Sequence, residues 1–282
     1  MNAVYSSLSE PATGALRGWS VLRCEGPDAE AFLQSQLSSD VAGLKPGQTH
    51  WSAWLNAKGR VIALLLLMRR DPQTFDMLLP DHPADTLAAQ LSRFILRRKA
   101  RLSQQAHAQV IAGIATAAPT DAVQFAGSIP RWLMAMAKPC EADAPALDLA
   151  WKRLDLLTGV PRLSAEGGSH TAHMLGLDRL QAISLSKGCY PGQEIVARTH
   201  YLGQSKRSLA CLHVDSAQAP SLGAAVLLGE QAVGEVISHA SLDSLGHLIQ
   251  AVISGAQTHE PYACGSASAS LAAAELPPLP LP

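Results

Sequence analysis

Charge is scarce in this chain. Only 16% of its 282 residues are charged, and 22 Lys plus Arg set against 23 Asp plus Glu leave a formal net charge of −1. That balance excludes a nucleic-acid binder whose affinity comes from an overall excess of cations on phosphates, although it allows a local basic patch. Cysteine is sparse and scattered: five residues, at 24, 140, 189, 211 and 264, with no Cys-x-x-Cys pair. This fits neither a disulfide framework nor a zinc site, and reduced thiols are expected. Long apolar runs are missing as well. The longest, Val61 to Met68, is eight residues, against about 20 for a helix that spans a bilayer. Glu10 precedes the first basic residue, Arg17, and no apolar h-region follows, so a cytoplasmic protein without a secretory signal or membrane attachment is expected. Also absent are G-x-x-x-x-G-K-[ST], G-x-G-x-x-G, G-x-S-x-G and H-E-x-x-H. The common nucleotide-binding, esterase and metalloprotease readings lose ground with them.

What is present is apolar mass. A hydrophobic share of 48% is too high for a disordered chain, and at roughly 150 residues per domain the length predicts about two domains, each able to bury a core. A strand at 17 to 24 leads through Gly26-Pro27-Asp28, where Asp28 is placed to cap a helix carrying Phe32, Leu33 and Leu37. Strand-like runs at His50 to Asn56, Arg60 to Arg70 and Thr74 to Leu79 read as an antiparallel meander around Ala57-Lys58-Gly59 and Asp71-Pro72. Leu87, Leu91 and Phe94 have helical spacing, and the basic run after them enters an edge strand. Strands at Val110 to Ala115 and Arg131 to Ala137 precede an amphipathic helix at Asp148 to Thr158, stopped by Gly159 and Pro161. Four short strands between Arg207 and Ile253 predict a small C-terminal barrel, and the Ala/Ser/Pro-rich stretch from Ala263 onward reads as a disordered tail. The expected division is an N-terminal α+β part (1–105), a second α+β part (106–204), a β-barrel (205–262) and a tail (263–282).

The chemistry concentrates in Lys187-Gly188-Cys189-Tyr190-Pro191-Gly192-Gln193-Glu194-Ile195-Val196-Ala197-Arg198. Tyr190-Pro191-Gly192-Gln193 has the residues of a type II turn, and a helix can start just after it. Cys189 would then lie near the free N–H groups of a helix N-terminus, with Lys187 close by, and both favour a thiolate. A buried structural cysteine beside a tight turn is an equally good account of the same residues. His170 and His173, three apart, have no carboxylate or thiol ligand near them in sequence and read as loop histidines rather than a metal site. Arg93, Arg97, Arg98, Lys99 and Arg101 put five cations into nine residues. A solvated helix end and protected edge strand is the default reading; the functional one is a seat for the carboxylates or phosphates of an anionic ligand.

The string KGCYPGQEIVAR closely resembles the signature of YgfZ-type folate-binding proteins, relatives of the glycine-cleavage aminomethyltransferase. FLQSQLSSDVAGLKPGQ followed by LNAKGRV resembles a second, less specific pattern of that family. The resemblance implies a GcvT-like ring of α+β domains around a central folate-sized opening, plus a barrel. It implies tetrahydrofolate as cofactor and support of iron–sulfur cluster assembly or repair and of tRNA methylthiolation, without classical turnover. Cys189 matches the family's signature cysteine, with Lys187 as its activating neighbour. Trp19 and Trp151 match tryptophans implicated in folate binding, and Tyr190, Gln193, Glu194 and Arg198 complete the expected cofactor-binding set. The implied partners are a reduced folate and iron–sulfur enzymes, including tRNA-modifying ones, with transient cluster contact, possible direct tRNA contact and a monomeric state. Two alternatives stand beside this. One is a folate-dependent aminomethyl transferase, against which no carboxylate follows Gly59-Arg60, so that Asp155 or Glu194 would have to serve as acid/base. The other is a partner-binding module without folate, consistent with Leu157 where related sequences carry a Glu.

Overall fold

The structure, a computed structural model, describes residue 8 and residues 10–125, 127–137, 144–163, 167–203, 205–255, 261–265 and 267–272. Cys140 and residues 273–282 lie outside them. Among the described residues, two sheets, a closed barrel and four helices of eight residues or more make up the α+β fold.

The apolar run Val61 to Met68 explains the first layer. It forms most of β4 (Val61–Asp71), which pairs with β3 (Thr49–Leu55) and β5 (Thr74–Pro80); β2 (Trp19–Glu25) and β6 (Arg101–Gln104) complete a sheet of order β3-β4-β5-β2-β6. Successive strand residues face opposite sides. Ala63, Leu65 and Leu67 pack with Phe32, Leu33 and Leu87 from α1 (Ala29–Gln36) and α2 (Ala84–Ser92), whereas Leu64, Leu66 and Met68 join the core shared with the second sheet. A strand buried on both faces has no polar alternation, and this one reads as a continuous apolar run for that reason. β6 lies at the sheet edge, as its charged flank predicts.

The second sheet has the order β1-β7-β9-β8, with β1 (Ala12–Ala15), β7 (Gln109–Ile114), β8 (Val123–Phe125) and β9 (Arg131–Met136). β1 comes from the first stretch of chain yet pairs with β7, Ala12 opposite Ile114. Helix α3 (Pro145–Thr158) lies against this sheet and ends at Gly159, whose φ of 76° lets its N–H reach back to the carbonyls of Asp155 and Leu156. α4 (Gln193–Leu202) follows the Tyr190 to Gln193 turn. The barrel closes in the order β10-β13-β12-β11-β14-β15, from β10 (Arg207–Val214) through β11 (Ala225–Leu228), β12 (Gln231–Ser241), β13 (His247–Ser254) and β14 (Tyr262–Cys264) to β15 (Ala267–Leu271). α3 anchors it through Arg153, which donates to the Ser241 carbonyl at 2.6 Å.

Three expectations need correction. The stretch from Ala263 is not a tail up to Leu271: β14 and β15 close the barrel, with Leu271 opposite Leu212. Alternating small residues hid these strands, because Ala and Ser carry little β-propensity. Asp28 occupies the N-cap position of α1 but makes no side-chain cap bond; its carboxylate accepts the Lys99 N–H at 2.6 Å, fastening the basic segment to the helix start. Phe94 does not extend the apolar face of α2, since the helix stops at Ser92 and Phe94 is 45% exposed. No described helix is long and apolar enough to cross a membrane.

Candidate functional site

The two sequence motifs meet. In the β3–β4 connection, the Asn56 Oδ1 accepts the N–H groups of Lys58 at 2.9 Å and Arg60 at 3.1 Å, folding LNAKGRV into a tight loop. In the other motif, the Gln193 N–H reaches the Tyr190 carbonyl at 3.2 Å, and Gly192 has φ 77°. This is the type II turn the sequence predicts, with α4 starting directly behind it. The loops touch at their glycines. A Cβ on Gly192 would lie 2.5 Å from the Asn56 carbonyl oxygen and 2.7 Å from the Gly59 Cα, and one on Gly59 would lie 2.8 Å from the Ile195 Cβ. Glycine is therefore required at 59 and 192 by positive φ and by close approach together.

The Ser184 to Gln193 loop is also stapled to the end of α1. Ser184 N–H donates to the Ser38 carbonyl at 2.8 Å, and Ser38 Oγ donates to the Ala182 carbonyl at 2.6 Å. The Lys187 ammonium donates to the carbonyls of Leu37 at 2.6 Å and Ser39 at 2.9 Å, where the helix dipole favours a cation. It also stands 5.0 Å from the centre of the Tyr190 ring. Burial lowers its pKa to about 8, with Asp40 opposing the shift. Lys187 thus orders the loop by tying it to α1, and its described contacts are with these carbonyls rather than with the Cys189 thiol. Tyr190 is buried, donates to the Ser184 carbonyl at 3.2 Å and has its pKa pushed up to about 12 by burial. Gln193 Nε2 reaches the Lys187 carbonyl at 3.5 Å, while Glu194 and Arg198 are exposed on α4.

Cys189 is exposed on this braced loop. Cys24, Cys211 and Cys264 are buried, and burial raises all three, Cys24 and Cys211 to about 12. Only the thiolate is a nucleophile or metal ligand. Among the described cysteines, Cys189 alone presents its thiol to solvent.

Trp19 and Trp151 come together elsewhere, in the core shared by both sheets. Their rings stand edge to face with centroids 6.5 Å apart, and they are 7% and 1% exposed. The Arg131 guanidinium lies 4.6 Å from the Trp151 ring centre, and Phe125 meets Trp151 edge-on at 5.9 Å. Both indole N–H groups are buried without a partner among the described residues. Beneath them, Asp155 is fully engaged: Arg131 holds one carboxylate oxygen at 2.7 Å and Arg162 the other at 2.9 Å, and Arg162 continues to Asp81 at 2.6 Å. An aspartate clamped between two buried arginines ties the elements that carry them. Leu157 is buried in the same core.

The two loop histidines part company. His170 pairs with Glu235 of the barrel at 3.0 Å, beside a cavity of about 290 Å³, whereas His173 faces His200 of α4 at 6.3 Å. No group of three or more described His, Cys, Asp or Glu residues is arranged to hold a metal. Sequence reasoning missed the Ser39–His50–Ser52 chain, in which Ser39 Oγ meets His50 Nε2 at 2.9 Å and Ser52 Oγ at 2.6 Å. Burial lowers His50 to about 4, so it is neutral at physiological pH. The alternation of His50 and Ser52 on β3 was visible; their meeting with Ser39 was not.

The fold and this site define a class. Over 95% of this chain and 88% of the other, the structure superimposes on glycine cleavage system aminomethyltransferase T from Bartonella henselae, with a TM-score of 0.68 at 16% identity, so the fold is that of the aminomethyltransferase. The nearer likeness is in sequence. The chain is 28% identical to the tRNA-modifying protein YgfZ of Colwellia psychrerythraea over 84% of each chain. It is 29% identical to that of Edwardsiella ictaluri over 85% of this chain and 83% of the relative, and 28% identical to that of Vibrio vulnificus over 81% and 78%. No protein-family model matches. The resemblance to YgfZ-type proteins, carried by two short motifs in the sequence, thus extends over more than four fifths of the chain.

Proposed function

We propose that this protein is a YgfZ-type accessory protein that binds a reduced folate, supports iron–sulfur enzymes of tRNA modification and acts through Cys189. The observation that carries the reading is the exposure of Cys189 on a loop braced by Lys187 and locked against the β3–β4 loop through Gly192, while the other described cysteines are buried. One thiolate cannot hold a cluster that normally takes four cysteines, so cluster contact is transient or shared with a client enzyme. The relatives from Colwellia psychrerythraea, Vibrio vulnificus and Edwardsiella ictaluri, each named a tRNA-modifying protein, support the tRNA side of the reading.

For folate, the fit is that of hydrogen-bond donors rather than of an open stacking face. The unpartnered indole N–H groups of Trp19 and Trp151 would serve the acceptor atoms of a pterin, whereas Arg131 and Phe125 already cover Trp151. The transferase alternative is weakened by the engagement of both Asp155 oxygens, which leaves exposed Glu194 as its remaining named acid/base. The test is complementation of a bacterial strain lacking its own YgfZ-type protein, read as the level of methylthiolated tRNA. Wild type restores it and Cys189→Ser does not; restoration by Cys189→Ser overturns the thiol role. Tetrahydrofolate titration followed by tryptophan fluorescence, repeated on Trp19→Phe and Trp151→Phe, tests the folate role, which fails if wild type shows no saturable binding.

A further inference from the structure

The segment Arg93 to Arg101 lies beside α1 and carries five cations and no acid, in a chain whose net charge is −1. All five side chains are exposed, and none makes an ion pair among the described residues. A solvated charge run explains that much. It does not explain what stands among the cations. Phe94 is 45% exposed, and Leu96 is 87% exposed while held at a positive φ of 51°, a conformation that presents an apolar side chain to water at a steric cost. Together with Arg97 and Arg98 they line an open groove of about 840 Å³ against α1. Arg98 is pre-positioned there, donating to Ser35 Oγ at 2.7 Å with its guanidinium 5.8 Å from the centre of the Phe32 ring.

The groove also has unmet hydrogen-bonding capacity in its wall. Gln36 lines it, is 8% exposed, and its Oε1 accepts no hydrogen bond among the described residues. Phe94 stands edge-on to Trp54 of the core at 6.1 Å. An aromatic ring, a pair of arginines and an unsatisfied amide oxygen in one groove match the demands of one ligand class. Unpaired bases stack on aromatic and guanidinium planes and offer edge donors and acceptors, while their phosphates take arginine.

We propose that this groove seats an unpaired RNA segment, with a base against Phe94 and Leu96 and its flanking phosphates on Arg97, Arg98 and Lys99. The choice of RNA over other polyanions rests on the tRNA-modification reading above. The internal base pairs of a duplex cannot stack on Phe94, and an acidic peptide uses the cations but not the ring.

The test is a fluorescence-anisotropy titration of the full chain with three labelled probes: a hairpin RNA with an unpaired loop, the blunt duplex of its stem, and a poly-glutamate peptide. The hairpin is expected to bind about tenfold more tightly than the duplex. Phe94→Ala is expected to weaken hairpin binding by about tenfold, the worth of one base–aromatic stack, and to leave the duplex unchanged. Arg97→Gln, whose side chain makes no described hydrogen bond, should lower the slope of log affinity against log salt by about one without changing the thermal midpoint. Equal binding of hairpin and duplex, preference for poly-glutamate, or an unchanged hairpin affinity in Phe94→Ala overturns the proposal. Cys189→Ser keeps wild-type RNA affinity, so loss of complementation in that variant reports on the thiol alone. If the RNA result is negative while Cys189 is still required, the groove is removed and the accessory function stands.

Discussion

The signature loop and the tryptophan core spend similar residues in opposite ways. Around Cys189, a cation and an aromatic ring lie at the surface end of α1, and backbone carbonyls rather than acidic side chains hold Lys187. Around Trp151, a cation and aromatic rings are buried, and two carboxylates neutralise Arg131 and Arg162. The difference follows from desolvation. A half-buried ammonium can satisfy itself on carbonyl dipoles and keep a lowered pKa, whereas fully buried guanidinium groups require a counter-charge. The loop is consequently built to hold one exposed thiol in place, and the core to join the two sheets to the helix that carries the barrel.

Five experiments press on that contrast. The largest effect is expected in the core: Asp155→Ala strands Arg131 in the interior, leaves Arg162 with Asp81 alone and should cost about 3–5 kcal/mol of stability, read as a drop in the denaturant midpoint. A loss below about 1 kcal/mol would mean that the two arginines reach water, and the contrast with the loop would collapse. Gly192→Ala comes next. It forces a Cβ toward the Asn56 carbonyl at positive φ and should cost about 2–3 kcal/mol, while loosening the Cys189 loop to protease. An unchanged stability would show that the two motifs do not lock.

Acid should act through β3. His50 titrates near 4 when folded against an ordinary 6.5, so between those values the unfolded chain takes up a proton that the folded chain refuses. Stability is therefore lost as pH falls from 6.5 toward 4, and His50→Gln should flatten that slope by about one proton in urea melts at stepped pH. The sign for Lys187 is the same and its window higher, stability rising with pH between about 8 and 10.5. The smallest structural effect belongs to Cys189→Ser, expected within about 0.5 kcal/mol of wild type because the side chain is exposed. The thiol itself should behave differently from its fellows. Iodoacetamide on native protein should label Cys189 well before Cys24, Cys211 or Cys264, and equal labelling in mass spectrometry would erase the distinction between the loop and the interior.

Much of this site was legible because its constraints are local. Pro191 and Gly192 specify a type II turn whatever surrounds them, and Gly159 with Pro161 specifies a helix end. The continuous apolar run of β4 required burial on both faces before any partner was known. What failed were inferences about partners. Asp28 was a plausible cap by position, but Lys99, 71 residues away, took its carboxylate. Lys187 neighbours Cys189 in sequence, but its ammonium is hydrogen-bonded to the carbonyls at the end of α1. β14 and β15 have too little intrinsic strand preference to be read locally, and the open edges of the barrel order them.

By itself the sequence determined the turns, the doubly buried strand, the lack of any membrane-length apolar helix, and the cysteine and glycine positions that carry the likeness to YgfZ-type proteins. Each of these depends on backbone conformation or side-chain polarity within a few residues. Tertiary structure alone decided that Gly59 meets Gly192, that Asp155 is clamped while Cys189 is exposed, and that Phe94 stands among exposed arginines. Those outcomes depend on which distant surfaces meet, and burial then sets which charges must be neutralised and which thiol can react.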